Sequence, residues 1–117
     1  TPSGTELNTD APKDNQGRGE SFSPTDLVAT ALGTCMLTVM GINARALNID
    51  IAGTTATVEK EMTSGPVRMI ASLTVKIHVP HSLSLEHQQK LEQAAHTCPV
   101  HKSLHPDVRT PIEFTWA

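Results

Sequence analysis

Ser23-Pro24-Thr25-Asp26-Leu27-Val28-Ala29-Thr30-Ala31-Leu32-Gly33-Thr34-Cys35-Met36-Leu37-Thr38-Val39-Met40-Gly41-Ile42-Asn43-Ala44 is the stretch that decides the fold. Ser23 is a good helix N-cap, Pro24 suits the first helical position, and Asp26 stands three residues after the serine. That is a capping box with Asp in place of the usual Glu or Gln. From Leu27 to Ala44 no residue is charged. A bilayer span of that length is conceivable. Thr30, Thr34, Thr38 and Asn43 argue against one, and no basic cluster flanks either end. The alternative is a helix apolar on every side, hence buried on every side. Such a helix needs cover from a sheet, other helices or a second subunit. Gly33 and Gly41 would allow close backbone approach at some cost in helix propensity.

The flanks complete an α+β pattern. Thr1–Phe22 is rich in turn residues and reads as loop or a weak edge strand. It holds no apolar core of a secretory signal, and its first residue is Thr rather than Met. Thr54–Met62 alternates partially, and Thr63-Ser64-Gly65-Pro66 is turn chemistry. Val67, Met69, Ala71, Leu73, Val75, Ile77 and Val79 then recur with period two, which predicts an antiparallel hairpin. Ser84 caps a predicted helix from about Leu85 to His96. Pro99 opens a short helix through about Leu104, and Thr110–Trp116 is a terminal strand.

Composition narrows the function. The 117 residues suit one domain. Net charge is -3, with only 9 Lys and Arg, so no electrostatic footprint for nucleic acid exists. Aromatics are 3% of the chain, too few for a stacking platform or a carbohydrate site. Two cysteines cannot staple a small secreted scaffold. A chain this short buries a limited share of its surface, which favours dimerisation.

Those two cysteines are the chemistry-bearing residues. Cys35 lies mid-helix, about 16 Å from the N-terminus and beyond reach of its dipole. It is either a small packed hydrophobe or a thiolate that needs a cation such as Arg. Cys98 stands at a helix start, where backbone N–H groups favour an anion, or it is simply a buried cap. If the two meet, thiolate, sulfenic acid and disulfide form a redox cycle. Asp26 is about 180° round the helix from Cys35 and reads best as a cap. Arg18 and Glu20, in the preceding loop, are either a solvated charge pair or reach a thiol site. His96, Cys98, His101 and His105 raise a metal site as an alternative, although Pro99 puts a turn among them.

The helix-opening segment Phe22-Ser-Pro-Thr-Asp-Leu-Val-Ala-Thr-Ala-Leu-Gly-Thr-Cys35, the hairpin, and Ala94-Ala-His-Thr-Cys98-Pro-Val-His-Lys-Ser-Leu104 together resemble the OsmC/Ohr family of osmotically inducible and organic hydroperoxide resistance proteins. The resemblance runs from about Asp10 to Trp116. It implies an intertwined α+β homodimer, with an antiparallel sheet on a central buried helix and sites at the dimer interface. It implies further that 1–117 is one OsmC-like domain lacking part of the family's N-terminal strands. By resemblance, Cys35 is peroxidatic and Cys98 resolving. The substrate is then an organic hydroperoxide, a dithiol is the reductant, and no cofactor is needed. The family steadies its thiolate with an upstream Arg and with a Glu just after the helix-opening Pro. Here the latter position is Thr25, which leaves Arg18, Glu20 and Asp26 as candidate supports. The competing expectation is a family member with little peroxidase activity that binds an apolar small molecule at the dimer interface. Catalytic reduced thiols fit the cytoplasm, with neither membrane nor nucleic acid as partner.

Overall fold

The computed structural model describes residues 1–117. After a single 3-10 turn at Lys13–Asn15, the chain forms α1 (Pro24–Ala46), the strands β1 (Thr55–Met62) and β2 (Ile70–Val79), the helices α2 (Leu85–Ala95) and α3 (Pro99–Ser103), and β3 (Ile112–Trp116). The α+β class follows. No strand forms within Thr1–Phe22.

Helix α1 begins where the capping signature puts it. The Asp26 N–H donates to Ser23 Oγ at 3.1 Å, and the Ser23 N–H donates to Asp26 Oδ2 at 3.0 Å. Two orphan donors of the first turn are thereby satisfied. Beyond Ala46 the chain turns through Asn48 at φ 56°, a left-handed conformation that asparagine tolerates.

Within the single chain the helix is buried on one side only. Leu32, Met36, Met40 and Ala44 point into the core, while Thr30, Thr34, Thr38 and Ile42 are exposed. The threonines need no water to satisfy their hydroxyls. Thr30, Thr34 and Thr38 donate to the carbonyls of Asp26, Thr30 and Thr34, at 3.0, 2.8 and 2.8 Å. Such back-bonding hides polarity within the helix, so the uncharged composition does not reveal which side faces away from the chain's own core. The helix is long and apolar enough to cross a bilayer, but its most apolar stripe is used inside the fold.

That stripe meets β2. Leu73, Val75, Ile77 and Val79 are buried and join Leu32, Met36 and Met40 in one cluster. Leu91 and Ala95 of α2 close it from the side. Full burial of each large side chain contributes about 1.5–3 kcal/mol. The strand begins three residues later than its periodicity suggests, and Val67 is exposed in the turn. Gly33 allows β1 to approach α1, since a Cβ there would stand 3.0 Å from Val58 Cγ2; Gly41 faces open space.

The sheet order is β1-β2-β3. β1 and β2 form the expected antiparallel hairpin, with Val58 opposite Val75 and Ala56 opposite Ile77. β3, however, runs parallel to β2, pairing Ile77 with Phe114 and Val79 with Trp116. The sheet is therefore mixed rather than antiparallel throughout. The reason lies in the connection: α2 and α3 carry the chain back to the end where β2 began, and a strand entered through such a crossover lies parallel.

Candidate functional site

The core-facing side of α1 and the start of α3 bring the two cysteines together. α1 packs against both α2 and α3. Both cysteines are free thiols. Cys98 belongs to the buried cluster, and Cys35 packs against that cluster. The sequence leaves Cys98 as either an anion-favouring helix start or a buried cap, and the structure buries it; Cys35, expected in the middle of a buried helix, is the less buried of the two. Cys35 is half-buried, and Cys98 is 0% exposed. The N-cap position explains the burial of Cys98. Pro99 turns the chain into α3 so that the Cys98 sulfur is tucked beneath its own helix start.

Two effects compete on the Cys98 thiol. As the N-cap of α3, its sulfur accepts the His101 N–H at 3.4 Å, which favours the thiolate. Burial disfavours any charge. Burial wins: it pushes the thiol above its ordinary value. The adjoining Cys35 side chain pushes the same way by hydrogen bonding and charge, and the N–H groups of His101 and Val100 only partly offset it. The favourable helix-start electrostatics expected for Cys98 are thus present but outweighed. No guanidinium is among the groups acting on this thiol.

The histidines of the same stretch do other work. His101 Nε2 hydrogen-bonds Thr110 Oγ1 at 2.9 Å and so ties α3 to the approach of β3. Its Nδ1 is buried with no partner. The His96 ring stands edge-on to His101 at 6.2 Å and tilted against Phe114 at 6.5 Å. His105 is exposed beside Asp107. No three His, Cys, Asp or Glu side chains converge where an ion could sit. His96, Cys98 and His101 are therefore no preformed ligand set.

A second feature lies on the other side of α1. Asp26 caps the helix, and its Oδ1 also accepts from Lys60 Nζ at 2.8 Å, while Thr25 Oγ1 accepts from the same ammonium at 2.9 Å. Lys60 occupies an inward position of β1, in phase with Ala56 and Val58, and its side chain is only 15% exposed. The hydrogen bond from Lys60 holds the Asp26 carboxyl below its ordinary value, helped by the Ser23 N–H and opposed by burial. This pair borders a groove of about 390 Å³ between α1 and β1, floored by Ala29, Gly33, Leu37 and Val58 and flanked by Phe22. Sequence reading missed Lys60. The one available signal was a cation in the apolar phase of a strand.

Arg18 and Glu20 are exposed. Their backbone N–H groups both donate to Asp10 Oδ2 at 3.2 Å, which closes the loop. Neither side chain acts on Cys98. Cys35 and Cys98 are brought together, whereas Asp26 faces the groove with Lys60.

The family model described as OsmC-like protein matches residues 17–113. No curated protein matches the sequence. Among solved structures, a protein of Psychrobacter arcticus, provisionally described as an osmotic stress induced and detoxification response protein, is 49% identical. The match covers 96% of this chain and 81% of that one, with a TM-score of 0.90. The organic hydroperoxide resistance protein OsmC of Legionella pneumophila is 19% identical over 98% of this chain and 85% of its own, with a TM-score of 0.79. The organic hydroperoxide resistance protein OhrB of Bacillus subtilis is 22% identical over 81% and 71%, with a TM-score of 0.68. At the last two identities the likeness is one of fold. With the family match spanning the capped helix, the hairpin and both cysteines, the chain belongs to the OsmC-like protein family.

Proposed function

We propose that this protein is a thiol peroxidase that reduces organic hydroperoxides through Cys35 and Cys98. The observation that carries the reading is that the chain's only two thiols, both free, meet one buried cluster where α1 packs on α3, Cys98 within it and the half-buried Cys35 against it. A reachable sulfur suits attack on a peroxide, and a sheltered sulfur suits resolution of the sulfenic acid. Family membership and the names of the Legionella and Bacillus relatives support the same chemistry.

The cycle has three steps. The Cys35 sulfur attacks the hydroxyl oxygen of ROOH; the O–O bond breaks, RO⁻ takes a proton from water, and Cys35 becomes a sulfenic acid. The Cys98 sulfur then attacks the Cys35 sulfur, forming the disulfide, and hydroxide departs with the Cys98 proton as water. A dithiol reductant reopens the disulfide by exchange. No cofactor enters these steps. Residues 1–117 act as one OsmC-like unit, paired in a homodimer through surfaces that include the exposed side of α1. Arg18, Glu20 and Asp26 are the candidate supports. The working site is the cytoplasm, where thiols stay reduced, and neither membrane nor nucleic acid takes part.

A second reading rests on the groove beside Lys60, whose apolar floor would suit a small apolar ligand without turnover. One assay separates the two. Reduced protein, cumene hydroperoxide and a dithiol are mixed, and peroxide loss is followed for wild type and Cys35→Ser. Turnover in wild type alone supports the peroxidase; loss no faster than the dithiol control in either protein rejects it.

A further inference from the structure

We infer that the groove between α1 and β1 is a binding site for a straight-chain alcohol, whose hydroxyl sits on the Lys60–Asp26 pair and whose hydrocarbon chain lies over Ala29, Gly33 and Val58. The inference rests on the second reading above and deepens it by naming the class of ligand. It needs no turnover at the cysteines.

The groove is polar at one end only. Asp26 meets Lys60 there, whereas further along Gly33 meets β1: a Cβ on Gly33 would stand 3.0 Å from Val58 Cγ2 and 3.6 Å from Ala56 Cβ. The missing side chain at Gly33 leaves the floor open. From Asp26 to Leu37 the lining runs over about 16 Å of helix and holds about 390 Å³, a usual size for a small-molecule site. Thr30 and Thr34 border it, but their hydroxyls are bonded to the carbonyls of Asp26 and Thr30. They therefore offer the groove methyl groups rather than polar atoms. An alkyl chain suits that stretch, and a sugar would find no partners in it.

The polar end selects the head group. Of the nine Lys and Arg residues, Lys60 alone is not exposed. Burying an ammonium is costly unless it is paired. Two of its three hydrogens go to Asp26 Oδ1 at 2.8 Å and Thr25 Oγ1 at 2.9 Å, which leaves one donor for a ligand. Asp26 Oδ1 keeps a lone pair beyond its bond to Lys60. A hydroxyl, which both accepts and donates, answers both groups. The ion pair carries no net charge, so an ionic head gains little. A carboxylate that reaches Lys60 also meets the Asp26 carboxylate, with Glu20 lining the adjoining depression beside Phe22 and Asp26. An ammonium meets Lys60. An ether accepts from Lys60 but gives Asp26 nothing.

The mouth runs along Thr30 and Thr34, on the side of α1 given above to the homodimer. A partner copy set there closes over the alkyl chain. One that fills the groove with its own side chains excludes the ligand, and this is the competing occupant.

The test is displacement of N-phenyl-1-naphthylamine, a neutral apolar fluorophore, from the whole protein at pH 7. The competitors are 1-octanol, octyl methyl ether, octanoate and octylammonium. 1-Octanol displaces the probe at about one tenth the concentration of the other three, since a hydrogen bond to a charged group is worth about tenfold. Lys60→Met still binds the probe but loses the preference for the alcohol. Thr34→Phe, a change at an exposed position, plugs the groove and abolishes probe binding while the far-UV spectrum holds. Should Lys60→Met not fold, the ranking of the four competitors on wild type carries the test alone. Equal displacement by all four, or stronger displacement by octanoate, overturns the alcohol site and leaves an apolar groove standing. Probe binding that survives Thr34→Phe places the ligand elsewhere and overturns the inference. Wild type that binds no probe overturns both the inference and the second reading; if Thr34→Phe then also turns a dimer into a monomer, the groove belongs to the partner copy.

Discussion

Asp26→Ala removes two interactions at one point. The first is the N-cap reciprocity at α1, where Ser23 N–H donates to Asp26 Oδ2 at 3.0 Å. The second is the charge-assisted hydrogen bond from Lys60 Nζ at 2.8 Å, which is also the Asp26–Lys60 ion pair. Loss of a capping carboxylate costs about 1 kcal/mol. The ion pair is partly screened, because the Asp26 side chain is 41% exposed, but Lys60 at 15% exposed is left with Thr25 as its one partner. That adds about 0.5–1 kcal/mol. The sum is about 1.5–2 kcal/mol, or a fall in Tm of roughly 5–10 °C for a domain of this size. Urea unfolding gives the free energy directly. Lys60→Met and the double variant complete a cycle whose coupling is about 0.5–1 kcal/mol. The pH dependence has a definite sign. The folded Asp26 carboxyl titrates below its ordinary value, so the unfolded state binds more protons in the acid range. Its contribution is full above the unfolded carboxylate value near about 3.9. It fades as pH falls through the folded value, and the gap between wild type and Asp26→Ala closes there. A variant within about 0.5 kcal/mol of wild type at pH 7, or a cycle with zero coupling, refutes the reasoning.

Three further perturbations probe other parts of the fold. Leu32→Ala opens a cavity where α1 meets β2 in the fully buried cluster; it costs about 2–5 kcal/mol in urea, with the m-value unchanged. Gly17→Ala would drive a Cβ into the Ala11 carbonyl group, so the Asp10–Phe22 loop opens and limited proteolysis there accelerates while the far-UV spectrum holds. Thr110→Val deprives His101 Nε2 of its partner and leaves both ring nitrogens unsatisfied. It costs about 1–3 kcal/mol, read as a shifted urea midpoint.

What the sequence discloses depends on the range of the forces involved. The start of α1 is legible because Ser23, Pro24 and Asp26 act within one turn. The hairpin is legible because period-two burial and the Thr63–Pro66 turn are local signals. The one-sidedness of α1 is hidden, since Thr30, Thr34 and Thr38 bond to their own helix and look apolar in composition. The direction of β3 is hidden too, because it is set by the packing of α2 and α3 rather than by any residue in β3. The Lys60–Asp26 pair joins residues 34 apart through the register of β1 against α1, which no spacing rule reports. Reading the two cysteines as the chemical centre needed only their scarcity and the family motifs. Their order of burial needed the turn at Pro99, which sinks the residue at a helix start below the one at mid-helix.

The most direct test of the redox pair is to treat fully reduced protein with one equivalent of cumene hydroperoxide, block remaining thiols, and digest without reductant. Mass spectrometry of the peptides then reports the sulfur chemistry. The account predicts a linked pair of peptides joining Cys35 to Cys98, with both thiols lost together and the link absent in Cys35→Ser. Two blocked, unlinked thiols after the peroxide has been consumed, or oxidation of Cys98 alone with Cys35 still reduced, contradicts it.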